Sequence, residues 1–335
     1  MRRVKLPFTS GLVIEFTDRD RAIQQVLKWG EEGTWYPVVV YGPEGCGKTA
    51  WLKQATEILR ELGFEVIYVD PLHRDFIAYT DVSEVVRKLS DALAEVVGVV
   101  QLKLATLAID VVKELIGVWR KKRVAVLVDE VFQAVGLDKA EIYVKMLLNL
   151  IEYPPETYER IVAIVATSEG LTRSRIGRHR WADLMSMWNM SIDGFKELYE
   201  KIPDPKPEFE SIWKLTGGNP DILRRLYRAG WNVEKVITEC IMGKEISPSF
   251  TMRWRSWLEK AVEDPDTLWS PETPRELIDE LIAKNLIMYN MYDRDNWFWI
   301  DKPPPRKDLD LGIGEHVTWQ TPIHREAVRR SLKEL

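Results

Sequence analysis

Eight consecutive residues have the composition of a phosphate-binding loop. The segment GPEGCGKT, residues 42–49, matches the pattern G-x-x-x-x-G-K-[ST] in full. Glycines let consecutive backbone N–H groups turn toward phosphate oxygens, and the positive end of a following helix adds to the attraction. Lys48 is expected to reach the β- and γ-phosphates, and the Thr49 hydroxyl is expected to ligate Mg²⁺. The predicted contacts with ATP are Gly42, Pro43, Glu44, Gly45, Cys46, Gly47, Lys48, Thr49 and Ala50.

Two adjacent acids end a strongly apolar stretch further along the chain. The stretch is VAVLVDE, residues 124–130. Asp129 is the expected Mg²⁺ carboxylate, and Glu130 is the candidate base that polarises the attacking water. Glu130 could instead be a solvated acid at the start of a helix. An Asp-Glu pair at this place favours hydrolysis over binding alone, so the two motifs together predict a Mg²⁺-dependent ATP hydrolase.

Hydroxyl and guanidinium groups follow the next apolar run. Either Thr167 or Ser168 could sense the γ-phosphate or orient the water, and either could instead cap the following turn. Four arginines then occur in LTRSRIGRHR, where they could form a solvated face or supply an arginine finger to this nucleotide or to a neighbour's. Arg173 and Arg178 are the leading finger candidates. The other two arginines are Arg175 and Arg180.

Apolar runs alternate with helical patterns in the part of the chain that carries these motifs. Strands are predicted at 38–41, 65–69, 124–128, 161–166 and, more weakly, 184–190. Helices are predicted at 18–30, 48–62, 82–98 and 101–119. Uninterrupted β-branched strands between helices indicate an α/β fold with a parallel sheet covered on both faces. Ligands of such sheets bind beyond the carboxyl ends of the strands, so the glycine loop, Asp129 and Thr167 should meet there.

The pattern of predicted elements changes after residue 201, from alternating strands and helices to mostly short helices. A proline-rich linker at 203–207 precedes short helices at 208–215, 221–229 and 233–242. Further helices are predicted at 250–262, 274–284 and 323–332, with a hairpin of 286–291 and 297–300 and a short strand at 317–319. Helices followed by a hairpin suggest a winged helix, on which Trp297 and Trp299 could stack against a partner. The predicted domains are 1–201, 202–246 and 247–335.

Charge and cysteine content limit the functional classes. The 335 residues carry a net charge of -5, which gives no whole-protein attraction to nucleic acid or to an anionic membrane. The two cysteines, Cys46 and Cys240, do not suggest a disulfide framework, and this favours a reducing compartment. No apolar run is long enough to be a comfortable membrane span. We therefore expect a cytoplasmic protein, and the scarcity of Asn and Gln weakly suggests a thermophilic source.

Four segments in order resemble the archaeal ATPase family, which lies near the STAND and AAA+ branches of P-loop ATPases. FTDRDRAIQQV, residues 16–26, resembles the opening element F-x-x-R-x-x-E-L, although Ala22 and Ile23 replace the usual acidic pair. The glycine loop and the Asp-Glu pair follow. KLTGGNPDIL, residues 214–223, resembles the Gly-Gly-x-Pro motif of the family's helical lid. The resemblance implies a P-loop sheet with a helical lid and a C-terminal winged helix, with Pro220 against the adenine.

The same resemblance implies an ATP-dependent conformational switch, and two outputs remain open. The first is nucleotide-controlled association with a protein partner or with itself. The alternative is a DNA-binding ATPase of the initiator or transposition-helper type, with the winged helix on DNA. Residues 271–335 carry 10 Lys and Arg against 12 Asp and Glu, which argues against strong DNA binding. A local basic patch keeps that alternative open: Lys302, Arg306, Lys307, Arg325, Arg329 and Arg330.

Overall fold

The computed structural model describes residues 2–94, 100–168, 176–177 and 180–333, without the side chains of 100–102 and 137–138. The strands are β1 (Lys5–Thr9), β2 (Leu12–Glu15), β3 (Val38–Tyr41), β4 (Glu65–Asp70), β5 (Asp75–Tyr79), β6 (Arg123–Asp129), β7 (Arg160–Thr167), β8 (Asp183–Met187), β9 (Ile287–Tyr289), β10 (Trp299–Ile300) and β11 (Val317–Trp319). The α-helices are α1 (Asp20–Glu32), α2 (Lys48–Glu61), α3 (Ser83–Ala94), α4 (Val100–Gly117), α5 (Val131–Val135), α6 (Leu137–Glu152), α7 (Ile192–Glu200), α8 (Phe209–Thr216), α9 (Pro220–Arg228), α10 (Val233–Gly243), α11 (Pro248–Arg253), α12 (Arg255–Glu263), α13 (Arg275–Ala283) and α14 (Pro322–Lys333).

The chain forms two compact units that are discontinuous in sequence. The first unit contains Met1–Val4, Asp20–Tyr41 and Lys48–Met185, and the second contains Lys5–Arg19, Gly42–Gly47 and Ser186–Leu335. The glycine loop therefore clusters with the second unit, whereas Lys48 and Thr49 begin α2 of the first. The domain boundaries at 201 and 246 remain predictions.

The first unit is built on a mostly parallel sheet of order β8-β3-β7-β6-β4-β5. Strands β3, β7, β6 and β4 run parallel, and β5 returns antiparallel to β4 at the edge. The register places Asp129 beside Ala166 and Thr167 beside Tyr41, so the ends of β6, β7 and β3 lie at one edge. The α/β fold class with a P-loop type of sheet is thus confirmed.

Burial explains why these strands contain almost no polar residue. Val126 of β6 and Val165 of β7 are fully buried, and they share one apolar core with Leu115 of α4 and Val144 of α6. A strand covered by helices on both faces has no solvent side, so its sequence reads as a continuous apolar run. This core fixes the strand ends that carry the polar side chains of the site.

Several element boundaries differ from the sequence-based prediction. Helix α1 begins at Asp20 rather than at residue 18, because Asp18 and Arg19 have left-handed backbones with φ of 56° and 64°. The β1–β2 hairpin, the edge strand β5 and helices α5 and α6 are absent from the sequence-based prediction. The hairpin, β5 and α5 are short patterns that are ambiguous by themselves. Helix α6 is different, because its 16 residues carry the helical spacing of Ala140, Tyr143, Val144 and Leu147, and the prediction missed it.

The second unit contains helices α7 to α14, and α14 packs on α10 and α12. The predicted hairpin of 286–291 with 297–300 is wrong. Strand β9 pairs antiparallel with β11 instead, and β10 pairs parallel with Ser186 and Met187 of β8. Trp299 is consequently fully buried, whereas Trp297 is exposed. The winged-helix assignment remains a prediction, and no helix among the described residues has the length and apolarity to cross a membrane.

Candidate active site

The glycine loop has a backbone that only glycine supports at key positions. Gly45 and Gly47 have φ of 75° and 103°, in the region that L side chains rarely adopt. A Cβ on Gly42 would collide with the carbonyl oxygen of Met187, and one on Gly45 would collide with the side chain of Asp221 at the start of α9. Gly42 is therefore required by close packing, Gly47 by its backbone conformation, and Gly45 by both.

A ring of buried amides holds the backbone of Glu44, the third residue of the loop. The Glu44 N–H donates to Gln320 Oε1 at 3.0 Å, and Asn219 Nδ2 donates to the Glu44 carbonyl at 2.9 Å. Asn189 closes the ring, because its Oδ1 accepts from Asn219 Nδ2 at 2.8 Å and its Nδ2 donates to the Gln320 carbonyl at 2.9 Å. All three amide side chains are almost fully buried. The loop is thus bonded to residues that lie far apart in the sequence.

Pro220 occupies the first turn of α9, directly after the cap residue of that helix. Asn219 Oδ1 accepts from the N–H groups of Asp221 and Ile222, and the Asp221 N–H reaches the Gly45 carbonyl at 3.3 Å. Proline is well suited to this position, since its missing N–H would be unpaired there anyway. The start of α9 thus lies against the glycine loop, and the contact of Pro220 with adenine stays a prediction.

Asp129 of the first unit has the surroundings expected of a Mg²⁺ carboxylate. It is fully buried, it is hydrogen-bonded to the Thr49 side chain, and its Oδ2 accepts from the Tyr68 hydroxyl at 3.3 Å. Among the described residues its Oδ1 has no hydrogen-bond partner. A buried carboxylate oxygen left without a partner is costly unless a cation or water satisfies it. The donor set of Thr49 and Asp129 therefore fits Mg²⁺, which prefers oxygen ligands.

Burial raises the pKa of Asp129 to about 7, while its hydrogen bond with Thr49 acts in the opposite direction. The charges of Glu130 and Asp70 raise this pKa further, and that of Lys48 lowers it. A bound divalent cation would favour the ionised carboxylate, since cations invert the local preference. Burial beside these carboxylates also raises the pKa of Tyr68, so its hydroxyl remains a donor.

Glu130 is oriented by Ser168. The Ser168 hydroxyl donates to Glu130 Oε1 at 2.6 Å, and the Ser168 N–H donates to Oε2 at 2.9 Å. The Glu130 backbone is left-handed, with φ of 45°, and its side chain does not cap α5 although the residue occupies the cap position. Strained backbones of this kind are often found at functional sites. Glu130 is therefore a positioned carboxylate rather than a freely solvated acid.

The remaining predicted site residues lie in different surroundings. Lys48 and Thr167 are buried, and Thr49 is exposed at the start of α2. The sensing role of Thr167 stays a prediction, whereas Ser168 is bonded to Glu130. Arg173, Arg175 and Arg178 lie outside the described residues, and Arg180 is exposed.

A mostly parallel sheet with a glycine loop, Lys48, and the Asp129–Glu130 pair at a strand end defines a P-loop ATPase. The narrower assignment comes from comparison of sequences: the chain belongs to the family of ATPase domains predominantly from Archaea, whose model matches residues 16–226. The family resemblance seen in the sequence is thereby confirmed, and the chain is an ATP hydrolase. No curated protein matches the sequence.

Several solved structures are distantly similar to the chain. A Walker-type ATPase of Pyrococcus abyssi is 14% identical, with 94% of this chain and 96% of that chain covered at a TM-score of 0.47. The Aeropyrum pernix ORC2 protein is 14% identical, with 94% of each chain covered at a TM-score of 0.40. AMPPCP-bound DnaA from Aquifex aeolicus is 14% identical, with 81% and 78% covered at a TM-score of 0.39. Likenesses this distant carry no information about the function of the chain.

Proposed function

We propose that the chain binds ATP on residues 42–49 and hydrolyses it with Glu130 as the general base. Lys48 contacts the phosphates, and Thr49 and Asp129 hold Mg²⁺, which neutralises charge on the phosphates during the reaction. The observation that carries this proposal is the pair of adjacent carboxylates with different environments. Asp129 is buried, with one oxygen that has no hydrogen-bond partner among the described residues, and Glu130 is held by Ser168. Thr167 as phosphate sensor, Arg173 or Arg178 as arginine finger, and Pro220 against adenine complete the proposed site.

The Asp129→Asn variant tests the proposed metal role. An amide is a weaker Mg²⁺ ligand than a carboxylate, so we expect the Mg²⁺ concentration for half-maximal turnover to rise by about tenfold or more, a loss of about 1.4 kcal/mol. Phosphate release is measured against MgCl₂ at fixed ATP, with Asp110→Asn on α4 as the matched control. An unchanged Mg²⁺ dependence in Asp129→Asn would remove this residue from the metal site.

We propose that the output of the nucleotide state is association with a protein partner or with a second copy of the chain. Trp297 is 72% exposed in the second unit, and Met242 and Met252 are also largely exposed there. Contiguous exposed apolar surface is common at protein interaction sites, whereas single exposed apolar side chains are ordinary, so substitution of Trp297 tests whether it belongs to such a surface. Self-association is tested by sedimentation of two states of the chain, the Glu130→Gln variant with ATP and the wild type with ADP. Each state is measured with and without the Trp297→Ser substitution.

DNA binding is the alternative, and the charge pairing in the second unit disfavours it. Within the described part of the chain, Arg306, Lys307, Arg325, Arg329 and Arg330 of the predicted basic patch are each bonded to acceptors of this chain. The acceptors are Glu315 for Arg306, Asp264 and Asp266 for Lys307, the carbonyls of Leu309 and Asp310 for Arg325, Glu263 and Glu326 for Arg329, and Glu234 for Arg330. Cations already paired in this way gain less from phosphate contacts.

We expect duplex DNA to bind only weakly, with a Kd above about 10 μM near physiological salt, within the range of non-specific binding. Fluorescence anisotropy of a labelled duplex, measured over a series of salt concentrations, checks this expectation. A micromolar or tighter complex that weakens steeply with salt and is lost in the Arg325→Glu, Arg329→Glu double variant would favour the DNA-handling function instead.

A further inference from the structure

Arg19 and Asp301 form a buried ion pair between residues 282 positions apart in the sequence. Arg19 Nη1 donates to Asp301 Oδ2 at 3.1 Å, and the two residues are 3% and 1% exposed. Taking two charges out of water is unfavourable unless further hydrogen bonds satisfy them. A pair this deeply buried therefore needs additional partners.

The second guanidinium nitrogen of Arg19 has such partners in the backbone. Nη2 donates to the carbonyl of Cys46 at 2.8 Å and to that of Trp188 at 2.9 Å. The planar guanidinium holds its donors in a fixed fork, so one side chain can contact several acceptors at once. Arg19 thus connects the glycine loop with the residue that follows β8 and, through Asp301, with the residue that follows β10.

Both partners of the ion pair have unfavourable backbone conformations. Arg19 has φ of 64° and Asp301 has φ of 63°, in the left-handed region that residues other than glycine seldom occupy. Such conformations persist where surrounding contacts over-determine them, and they cluster at functional sites. Strained backbones at both ends of one contact indicate that the position of the Arg19 guanidinium is important for function.

The planarity of the peptide bond links the Arg19 contact to phosphate binding. The Cys46–Gly47 peptide is trans, so its carbonyl oxygen and its N–H point in opposite directions. A bond that fixes the Cys46 oxygen on Arg19 therefore also fixes the direction of the Gly47 N–H. Backbone N–H groups of this loop are the groups that cradle the phosphates in P-loop proteins.

We propose that Arg19, held by Asp301, is a positioning residue that orients the Cys46–Gly47 peptide so that the Gly47 N–H faces the phosphates of the nucleotide. This inference rests on the proposed ATP-binding function and extends it. It makes a residue far along the chain, Asp301, a requirement for nucleotide affinity. Because the peptide lies in the part of the loop that cradles the α- and β-phosphates, ATP and ADP should depend on it alike.

Two variants weaken the Arg19–Asp301 contact in different ways. Asp301→Asn keeps the size of the side chain and removes its charge. Arg19→Lys keeps a charge but has one nitrogen, which cannot bond Asp301 and both carbonyls in the geometry of the fork. We expect the Kd for fluorescent analogues of ATP and of ADP to rise about tenfold or more in each variant, by a similar factor for the two nucleotides. Kd is measured well below the Tm of each variant, and Tm is measured without nucleotide.

The control variant is Glu315→Gln, which breaks the exposed Arg306–Glu315 pair in the same unit and should leave both Kd values unchanged. A fall in Tm of Asp301→Asn or Arg19→Lys, with Kd within twofold of wild type, would show that the pair only stabilises the fold and would overturn the inference. If Asp301→Asn does not fold, Arg19→Lys alone decides the question. Wild-type protein that fails to bind either nucleotide would instead refute the proposed function itself.

Discussion

The Glu130→Gln variant is expected to bind ATP as tightly as the wild type and to release phosphate at least about 100-fold more slowly. The glutamine keeps the size of the side chain and can still accept from Ser168, but its amide cannot take a proton from the attacking water. Steady-state phosphate release gives kcat, and titration with a fluorescent ATP analogue gives Kd. Since general base catalysis acts only on the chemical step, kcat should fall while Kd stays constant.

Two further variants show whether the loss of kcat is specific to the Glu130 carboxylate. Ser168→Ala removes a hydroxyl that orients Glu130 at 2.6 Å but leaves the carboxylate in place, so we expect a smaller loss of kcat, about three- to tenfold. Glu156→Gln, at an exposed position, should turn over at the wild-type rate. Wild-type turnover in Glu130→Gln would show that another group activates the water.

The Lys48→Ala variant should lose most of its affinity for ATP. The ammonium group makes charge-assisted hydrogen bonds to the phosphates, which contribute about 1.5–3 kcal/mol and correspond to a Kd about 10- to 150-fold higher. Removing Lys48 also removes the charge that lowers the pKa of Asp129, so less of that carboxyl is ionised at neutral pH. Both effects reduce binding of Mg²⁺-ATP.

Isothermal titration with a non-hydrolysable ATP analogue measures this loss directly. Lys28→Ala serves as the control, because Lys28 is an exposed lysine of α1 that pairs only loosely with Glu32, at 3.9 Å. Its affinity should equal that of the wild type. Equal affinity in Lys48→Ala would contradict the assignment of residues 42–49 as the phosphate loop.

The strands that carry the predicted nucleotide site can be located from the sequence, because each is marked by a pattern of neighbouring residues. The prediction of Val38–Tyr41 is correct at both ends, and the strands that end in Asp129 and Thr167 are correct within one residue at each end. Each is an apolar run that ends in a motif, and doubly covered parallel strands have no polar face to obscure the pattern. The meeting of the strand ends then follows from the geometry of parallel sheets.

Strand pairing in the C-terminal part cannot be predicted in the same way. Residues 286–291 and 297–300 are both short and apolar, so a hairpin is the simplest local interpretation. The structure pairs β9 with β11 and β10 with β8, which is more than 100 residues away along the chain. A strand of two or three residues carries too little pattern to specify its partner.

The site shows the same division between local and distant information. Lys48, Thr49, Asp129 and Glu130 can be identified because motif and spacing name them. Asn189, Gln320 and Asp301 contribute through contacts between distant segments, and no spacing rule signals those contacts. Ser168 follows an apolar run and Arg19 occupies the arginine position of the F-x-x-R element, so the sequence marks both residues but not their partners Glu130 and Asp301. Asn219 is an intermediate case, because an asparagine before a proline at a helix start is a recognisable cap.

The most direct test of the central claim is a crystal structure of Glu130→Gln with ATP and Mg²⁺. We predict triphosphate oxygens on Lys48 and on the N–H groups of residues 45–49, and Mg²⁺ ligated by the Thr49 hydroxyl with Asp129 Oδ1 as a direct or water-mediated partner. We also predict that the substituted side chain at position 130 lies beside the γ-phosphate, and the same map would show whether an arginine of a second chain reaches that phosphate. A nucleotide bound away from residues 42–49, or a metal that Thr49 and Asp129 do not approach, would contradict the account.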